Sequence, residues 1–162
     1  MNKARVLIVV SEFNQTITQS LLDAARETLY KAGLPEDHVD VIRVPGAFEL
    51  PVVAAKGARS NRWDSVICLG CVIKGETPHF DYVCQEAARG LMQVSLETEK
   101  PVIFGVLTTL TSQQAMERSG LRDTTVSDPD GIKQVVENKG VDAAQAALRM
   151  MGQFSDWESK WS

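Results

Sequence analysis

Apolar residues follow two alternating patterns along the chain. Val39 to Val44, with Asp40 and Arg43 inside it, reads as a second strand, while apolar runs rich in β-branched residues span Arg5 to Val10, Val66 to Ile73 (broken by Gly70) and Pro101 to Leu107. Such runs predict strands buried on both faces, as in a parallel sheet. Between them the spacing turns helical. Ile17, Leu21, Leu22, Ala25 and Leu29 mark one amphipathic helix, stopped by Gly33 and Pro35. Val52, Val53 and Ala55 mark a second, fading at Gly57, with Pro51 tolerable only in its first turn. Phe80, Val83, Cys84, Ala87, Ala88, Leu91 and Val94 mark a third. Thr111-x-x-Gln114 has the form of a capping box opening a short helix to Gly120. Val141, Ala144, Ala147, Leu148 and Met151 define a last helix, and Phe154, Trp157 and Trp161 continue as an aromatic stripe. That stripe reads as packing, within the chain or against another subunit.

Four strand-then-helix units in succession imply parallel pairing through right-handed crossovers. The expected fold is therefore α/β: a three-layer α/β/α sandwich with a four-stranded parallel sheet covered on both faces. One domain over residues 1–162 is expected. Its polar stretch from Leu121 to Asn138 carries a turn signal at Asp128-Pro129-Asp130-Gly131 and weak amphipathicity from Ile132 to Val136.

Ligands of open α/β sheets bind outside the carboxyl ends of the strands, and the residues there are chemically able. Lys74-Gly75-Glu76-Thr77-Pro78-His79 joins the third strand to its helix. Unpaired N–H groups at a helix start favour an anion, Lys74 adds charge, Thr77 a hydroxyl, and His79 a side chain that titrates near neutral pH. A plain capping turn with an exposed histidine accounts for the same residues, since Thr77 and Pro78 suit any helix start. Phe13 is a large apolar group in a turn, either a staple on the first helix or a plate for a flat ligand. Asn14 or Ser11 can cap that helix. Glu49, by itself, reads as a helix-dipole carboxylate. Phe13-Asn14, Ala47-Phe48-Glu49, Lys74 to His79 and Phe104 all fall at or near strand ends, which predicts convergence on one edge of the sheet.

Composition narrows the classes. The chain has 162 residues, 44% of them hydrophobic, enough for one domain with a real core. A net charge of -4 argues against a general nucleic-acid binder. No segment approaches the roughly 20 apolar residues of a membrane span, and the short N-terminal apolar run does not read as a signal. Cys68 and Cys71 form C-x-x-C on paper, but residues three apart in a strand point to opposite faces. They read as small buried hydrophobes in a reducing cytosol. The two histidines, His38 and His79, lie far apart, so no metal site is expected. No G-x-G-x-x-G or Walker loop follows a strand, which weakens dinucleotide and nucleoside-triphosphate readings.

Several segments carry a resemblance: VPGAFELP (Val44 to Pro51), GCVIKGETPHFDYV (Gly70 to Val83), PVIFGVLTT (Pro101 to Thr109), QAMERSG (Gln114 to Gly120) and NKGVDAA (Asn138 to Ala144), with Phe13-Asn14 before them. In this order, over nearly the whole chain, they resemble the lumazine synthases of riboflavin biosynthesis. The resemblance implies condensation of 5-amino-6-(D-ribitylamino)uracil with 3,4-dihydroxy-2-butanone 4-phosphate to 6,7-dimethyl-8-ribityllumazine, releasing phosphate and water, without a cofactor or metal. It implies that Phe13 stacks on the pyrimidine, with Asn14, Ala47, Phe48, Glu49, Val72, Ile73 and Lys74 holding the uracil edge and ribityl chain. Phe104 would close the site from the adjacent subunit. Glu76 and Thr77 would bind the phosphate with Arg118 and, in a less direct match, Lys139, while His79 would transfer protons.

The resemblance further implies a cytoplasmic homo-oligomer, with riboflavin synthase as a possible partner enzyme and no role for nucleic acid or membrane. A pentamer is the expected unit, with a decamer as the larger option. The chain departs from the family at Leu121 to Glu137, longer by about a dozen residues, which puts Arg122, Lys139 and Asp142 at risk of displacement. The charges Asp123, Asp128 and Asp130 there predict obstruction of closed-shell packing, because burying unpaired charge is costly. The competing reading is a non-catalytic lumazine- or flavin-binding module, or a shell-forming structural protein. Such a binder would have no use for phosphate donors beside a histidine.

Overall fold

The structure, a computed structural model, describes residues 4–121 and 137–161. Arg122, Asp123, the Asp128 to Gly131 turn and Ile132 to Val136 lie outside the described residues. Four strands, β1 (Val6–Ser11), β2 (Val39–Val44), β3 (Ser65–Ile73) and β4 (Val102–Thr109), form one sheet in the order β2-β1-β3-β4. Every pairing is parallel. The helices are α1 (Gln15–Lys31), α2 (Leu50–Ala58), α3 (His79–Thr98), α4 (Ser112–Arg118) and α5 (Lys139–Trp161).

Side chains alternate along β1 between two cores, which makes the three layers explicit. Val6, Ile8 and Val10 join Ile67 and Leu69 under Leu21 and Leu22 of α1 and Ala144 and Ala147 of α5. Leu7, Val9, Val66 and Cys68 face Leu50 and Ala54 of α2 and Ala87 and Leu91 of α3. The two cysteines of C-x-x-C end in different cores: Cys68 toward α2 and α3, Cys71 toward α1 and α5. Burial raises the Cys68 thiol pKa strongly and pushes Cys71 up to about 11, so both stay protonated at neutral pH.

The predicted elements recur with small shifts. Pro51 occupies the first turn of α2. Gly33, with φ +93°, takes the left-handed conformation that ends α1. Thr111 caps α4, its Oγ1 accepting from Gln114 N at 3.2 Å. The Gln114 side chain reaches one residue further back than a standard capping box and accepts from Leu110 N at 2.9 Å. The aromatic stripe is a correction to packing within the fold. Residues 139–161 form one continuous helix, and Trp157 and Trp161 on its last turns are 62% and 68% exposed. They contact each other instead, with ring centroids 4.8 Å apart.

The amino edge of the sheet is tied by a network that the chain pattern does not announce. Asp40 accepts from Trp63 Nε1 at 2.7 Å and from Arg62 at 3.2 Å, and Arg5 lies at 3.4 Å. The indole bond, then Arg5 and Arg62, hold the Asp40 carboxyl below its ordinary pKa against the opposing effect of burial. A depressed carboxylate contributes stability above its unfolded pKa and loses it as pH falls through the folded value. Among the described residues no helix is long and apolar enough to cross a membrane.

Candidate functional site

At the carboxyl edge the turns after β1 and β2 are drawn together by backbone bonds. Glu12 N donates to Val44 O at 2.8 Å and Phe13 N to Pro45 O at 3.1 Å. This sets Phe13 beside the 3₁₀ turn Ala47–Glu49. Phe13 is 71% exposed, so the staple reading fails: its ring stands in the open, as does Phe48 at 57%. Ala47 is buried under the turn. Glu49 Oε2 accepts from Gly46 N at 2.9 Å, so the carboxylate closes its own turn and fixes where that turn sits.

Capping of α1 also departs from expectation. Ser11 is fully buried in β1. Asn14 holds the N-cap position in the left-handed conformation, φ 58° and ψ 47°, without a side-chain cap. Its backbone oxygen accepts from Ile17 and Thr18, while Nδ2 donates to Cys71 O on β3 at 2.9 Å.

The β3–α3 junction is the most open part of this edge. Val72 and Ile73 are half-buried, and Lys74 to His79 are exposed. Lys74 N donates to Thr109 O at 2.9 Å, which extends the β3–β4 ladder past the strand and fixes the start of the turn. Among the described residues the N–H groups of Gly75, Glu76 and Thr77 find no partner. Thr77 Oγ1 accepts from His79 N only at 3.4 Å. The twenty-residue helix α3 begins at His79, so its dipole favours negative charge beside that imidazole.

Phe104 is a correction. It is the third residue of β4 and pairs with Cys68 in mid-β3. Thr109 lies five positions further along β4, roughly 16 Å at about 3.3 Å per residue. It lines an apolar groove with Ala88, Leu91, Met92, Ser95 and Val102, and it is 46% exposed. Within one subunit it does not join the others at the carboxyl edge.

Arg118 and Lys139 form a third group, and the long segment between them does not part them. Ser119 bridges to Asn138, and Asn138 Nδ2 donates to Ser119 O at 2.8 Å. Asn138 Oδ1 accepts from Gly140 N at 2.8 Å, which caps α5. Arg118 folds back on its own helix, with Nη1 donating to Gln114 O at 3.2 Å. Lys139 Nζ lies 2.7 Å from Glu137 and 2.9 Å from Asp142, and these carboxylates raise its pKa. Asp142 is thus a partner of Lys139. Glu137 pairs with Lys139 only two positions away, a local contact that sequence reasoning passed over. The Asn14–Cys71 bond escaped because it joins residues far apart in the chain.

Comparison with known proteins identifies the family. The sequence profile described as 6,7-dimethyl-8-ribityllumazine synthase matches residues 3–155. A relative named 6,7-dimethyl-8-ribityllumazine synthase, from Protochlamydia amoebophila (strain UWE25), is 45% identical over 151 residues, covering 93% of this chain and 80% of its own. The chain belongs to the 6,7-dimethyl-8-ribityllumazine synthase family.

Proposed function

We propose that the chain condenses 5-amino-6-(D-ribitylamino)uracil with 3,4-dihydroxy-2-butanone 4-phosphate to 6,7-dimethyl-8-ribityllumazine, releasing phosphate and water, in riboflavin biosynthesis. The observation that carries the reading is the exposed turn from Lys74 to His79, where available N–H groups at a helix start sit beside a histidine. Phosphate accepts bonds from the amides of Glu76 and Thr77, with the Glu76 carboxylate turned away. Phe13 stacks on the pyrimidine, an offset contact worth about 0.5–1.5 kcal/mol beyond burial. Ala47, Phe48, Glu49, Val72, Ile73 and Lys74 hold the uracil edge and ribityl chain, largely through backbone groups. His79 moves protons during Schiff-base formation, phosphate elimination and ring closure. Incubating the two purified substrates with the protein and following lumazine fluorescence tests the reading. Tight riboflavin binding without turnover would overturn it in favour of a non-catalytic binder.

The complete site takes residues from two subunits. Arg118 and Lys139 reach the phosphate, and Phe104 closes the pyrimidine end, from the neighbour. Two observations support this: Phe104 lies far from the carboxyl edge of its own sheet, and Arg118 and Lys139 cluster at the α4–α5 junction. Arg118→Ala is expected to raise KM for the butanone phosphate roughly 10- to 100-fold, the value of one charge-assisted bond. KM for the pyrimidine should barely move, and inorganic phosphate should compete with the butanone phosphate alone. Equal losses for both substrates would make Arg118 structural.

The assembly is a pentamer, with a decamer as the larger alternative to a closed shell. Exposed Met92, Leu96 and Phe104 on the α3–β4 side supply an apolar contact surface. The acidic residues of the 121–137 segment disfavour shell packing. Light scattering at neutral pH should find the smaller particles, and hollow spheres by electron microscopy would overturn the assignment.

A further inference from the structure

The ring of Phe13 stands in the open, so packing does not fix it. Its backbone is held from two sides instead. On the β2 side, Phe13 N donates to Pro45 O at 3.1 Å. On the β3 side, the next residue, Asn14, sends its side-chain amide to Cys71 O at 2.9 Å. The β1–β3 pairing ends at Val10 with Leu69, so the Asn14 amide takes over where the ladder stops. A buried carbonyl left without a donor would cost free energy, which gives this bond a structural reason. Asn14 also sits at φ 58°, a conformation that asparagine tolerates better than most residues with a side chain. Its backbone oxygen meanwhile starts α1. One residue therefore sets the turn's dihedral angles, anchors it to β3 and begins the helix behind it.

We propose that Asn14 is a positioning residue for Phe13 and makes no contact with substrate: its amide, committed to the Cys71 carbonyl, clamps the β1–α1 turn and holds the aromatic plate for the pyrimidine. This rests on the condensation reading above and deepens it. The amide already has its partner in the fold, so the side chain acts through the backbone of its neighbour.

Asn14→Asp separates the roles. Aspartate tolerates the left-handed conformation and the N-cap position about as well as asparagine, but it presents an oxygen to the Cys71 carbonyl where a donor stood. The expected result is a KM for the ribitylaminouracil raised about 10-fold, the upper range for one hydrogen bond, with much less change for the butanone phosphate. Asn14→Gly, which keeps the dihedral angles and loses only the bond, should show a smaller rise of about 3-fold on the same substrate. Because Asn14 acts through Phe13, Phe13→Ala/Asn14→Asp should bind the pyrimidine no worse than Phe13→Ala alone. Amide hydrogen exchange over residues 9–16, measured without substrate, should quicken in Asn14→Asp while the core strands stay protected.

An unchanged pyrimidine KM in both Asn14 variants, or equal rises for the two substrates, would overturn the proposal. So would additive losses in the double variant, which would place Asn14 on the substrate itself. Wild-type protein that forms no lumazine would remove the condensation reading, and the exchange measurement would still decide whether the amide clamps the turn.

Discussion

His79→Ala is expected to lower kcat by about 10²–10⁴-fold while the protein folds normally and KM for either substrate changes little. The side chain is exposed at the first position of α3, and among the described residues its ring has no hydrogen-bond partner. Removing it leaves no cavity and no buried polar group unpaired, so the usual routes to large destabilisation are closed. Only its backbone N–H is engaged, weakly, by Thr77 Oγ1, and alanine keeps that group. The loss must therefore fall on the reaction. Three steps of the condensation move protons, and a positioned imidazole can serve each near neutral pH. A residual rate is expected, since holding two substrates together contributes independently of proton transfer. Thermal unfolding of the variant and single-turnover rates at saturating substrates check both halves. Full activity would refute the role, and partial rescue by free imidazole would support it.

The layers of the sheet and most element boundaries were legible because strand and helix signals alternate cleanly. Val6 to Val10 can be buried on both faces only between neighbours, and the helical stripes supply the cover. What periodicity cannot report is depth along a strand. Phe104 sits inside an apolar run, and the pattern alone places it near the other site residues. The register with Cys68 moves it into the middle of the sheet. Long-range polar bonds were equally hidden. Nothing around Asn14 signals that its amide crosses to Cys71, and nothing around Trp63 points to Asp40. The turn from Lys74 to His79 was readable because its chemistry is local: a glycine, a hydroxyl, a proline and a histidine at one helix start. The proposed anion preference of that turn rests on the same local feature, a helix start with open N–H groups.

Gly140→Ala is expected to destabilise the protein by about 3 kcal/mol or more, although the same change in an open helix stabilises by roughly 0.5–1 kcal/mol. The reason is a close approach between helices. A Cβ on Gly140 would fall inside contact distance of the Leu21 carbonyl oxygen and carbon on α1. Both are backbone atoms of a helix whose Leu21 and Leu22 are buried against the sheet, so neither can swing aside as a side chain tip would. Moving α1 and the start of α5 apart relieves the contact and opens the core that Ala143, Ala144 and Ala147 fill. Gly152 supplies the control in the same helix, since an added Cβ there meets nothing within 4 Å. Gly152→Ala should raise Tm slightly, while Gly140→Ala should lower it by about 10 °C, at matched protein concentration. The displaced α5 start also carries Lys139, so the Gly140 variant should lose affinity for inorganic phosphate before it unfolds. Equal Tm values for the two variants would mean that α1 and α5 pack less closely than the Leu21 contact requires.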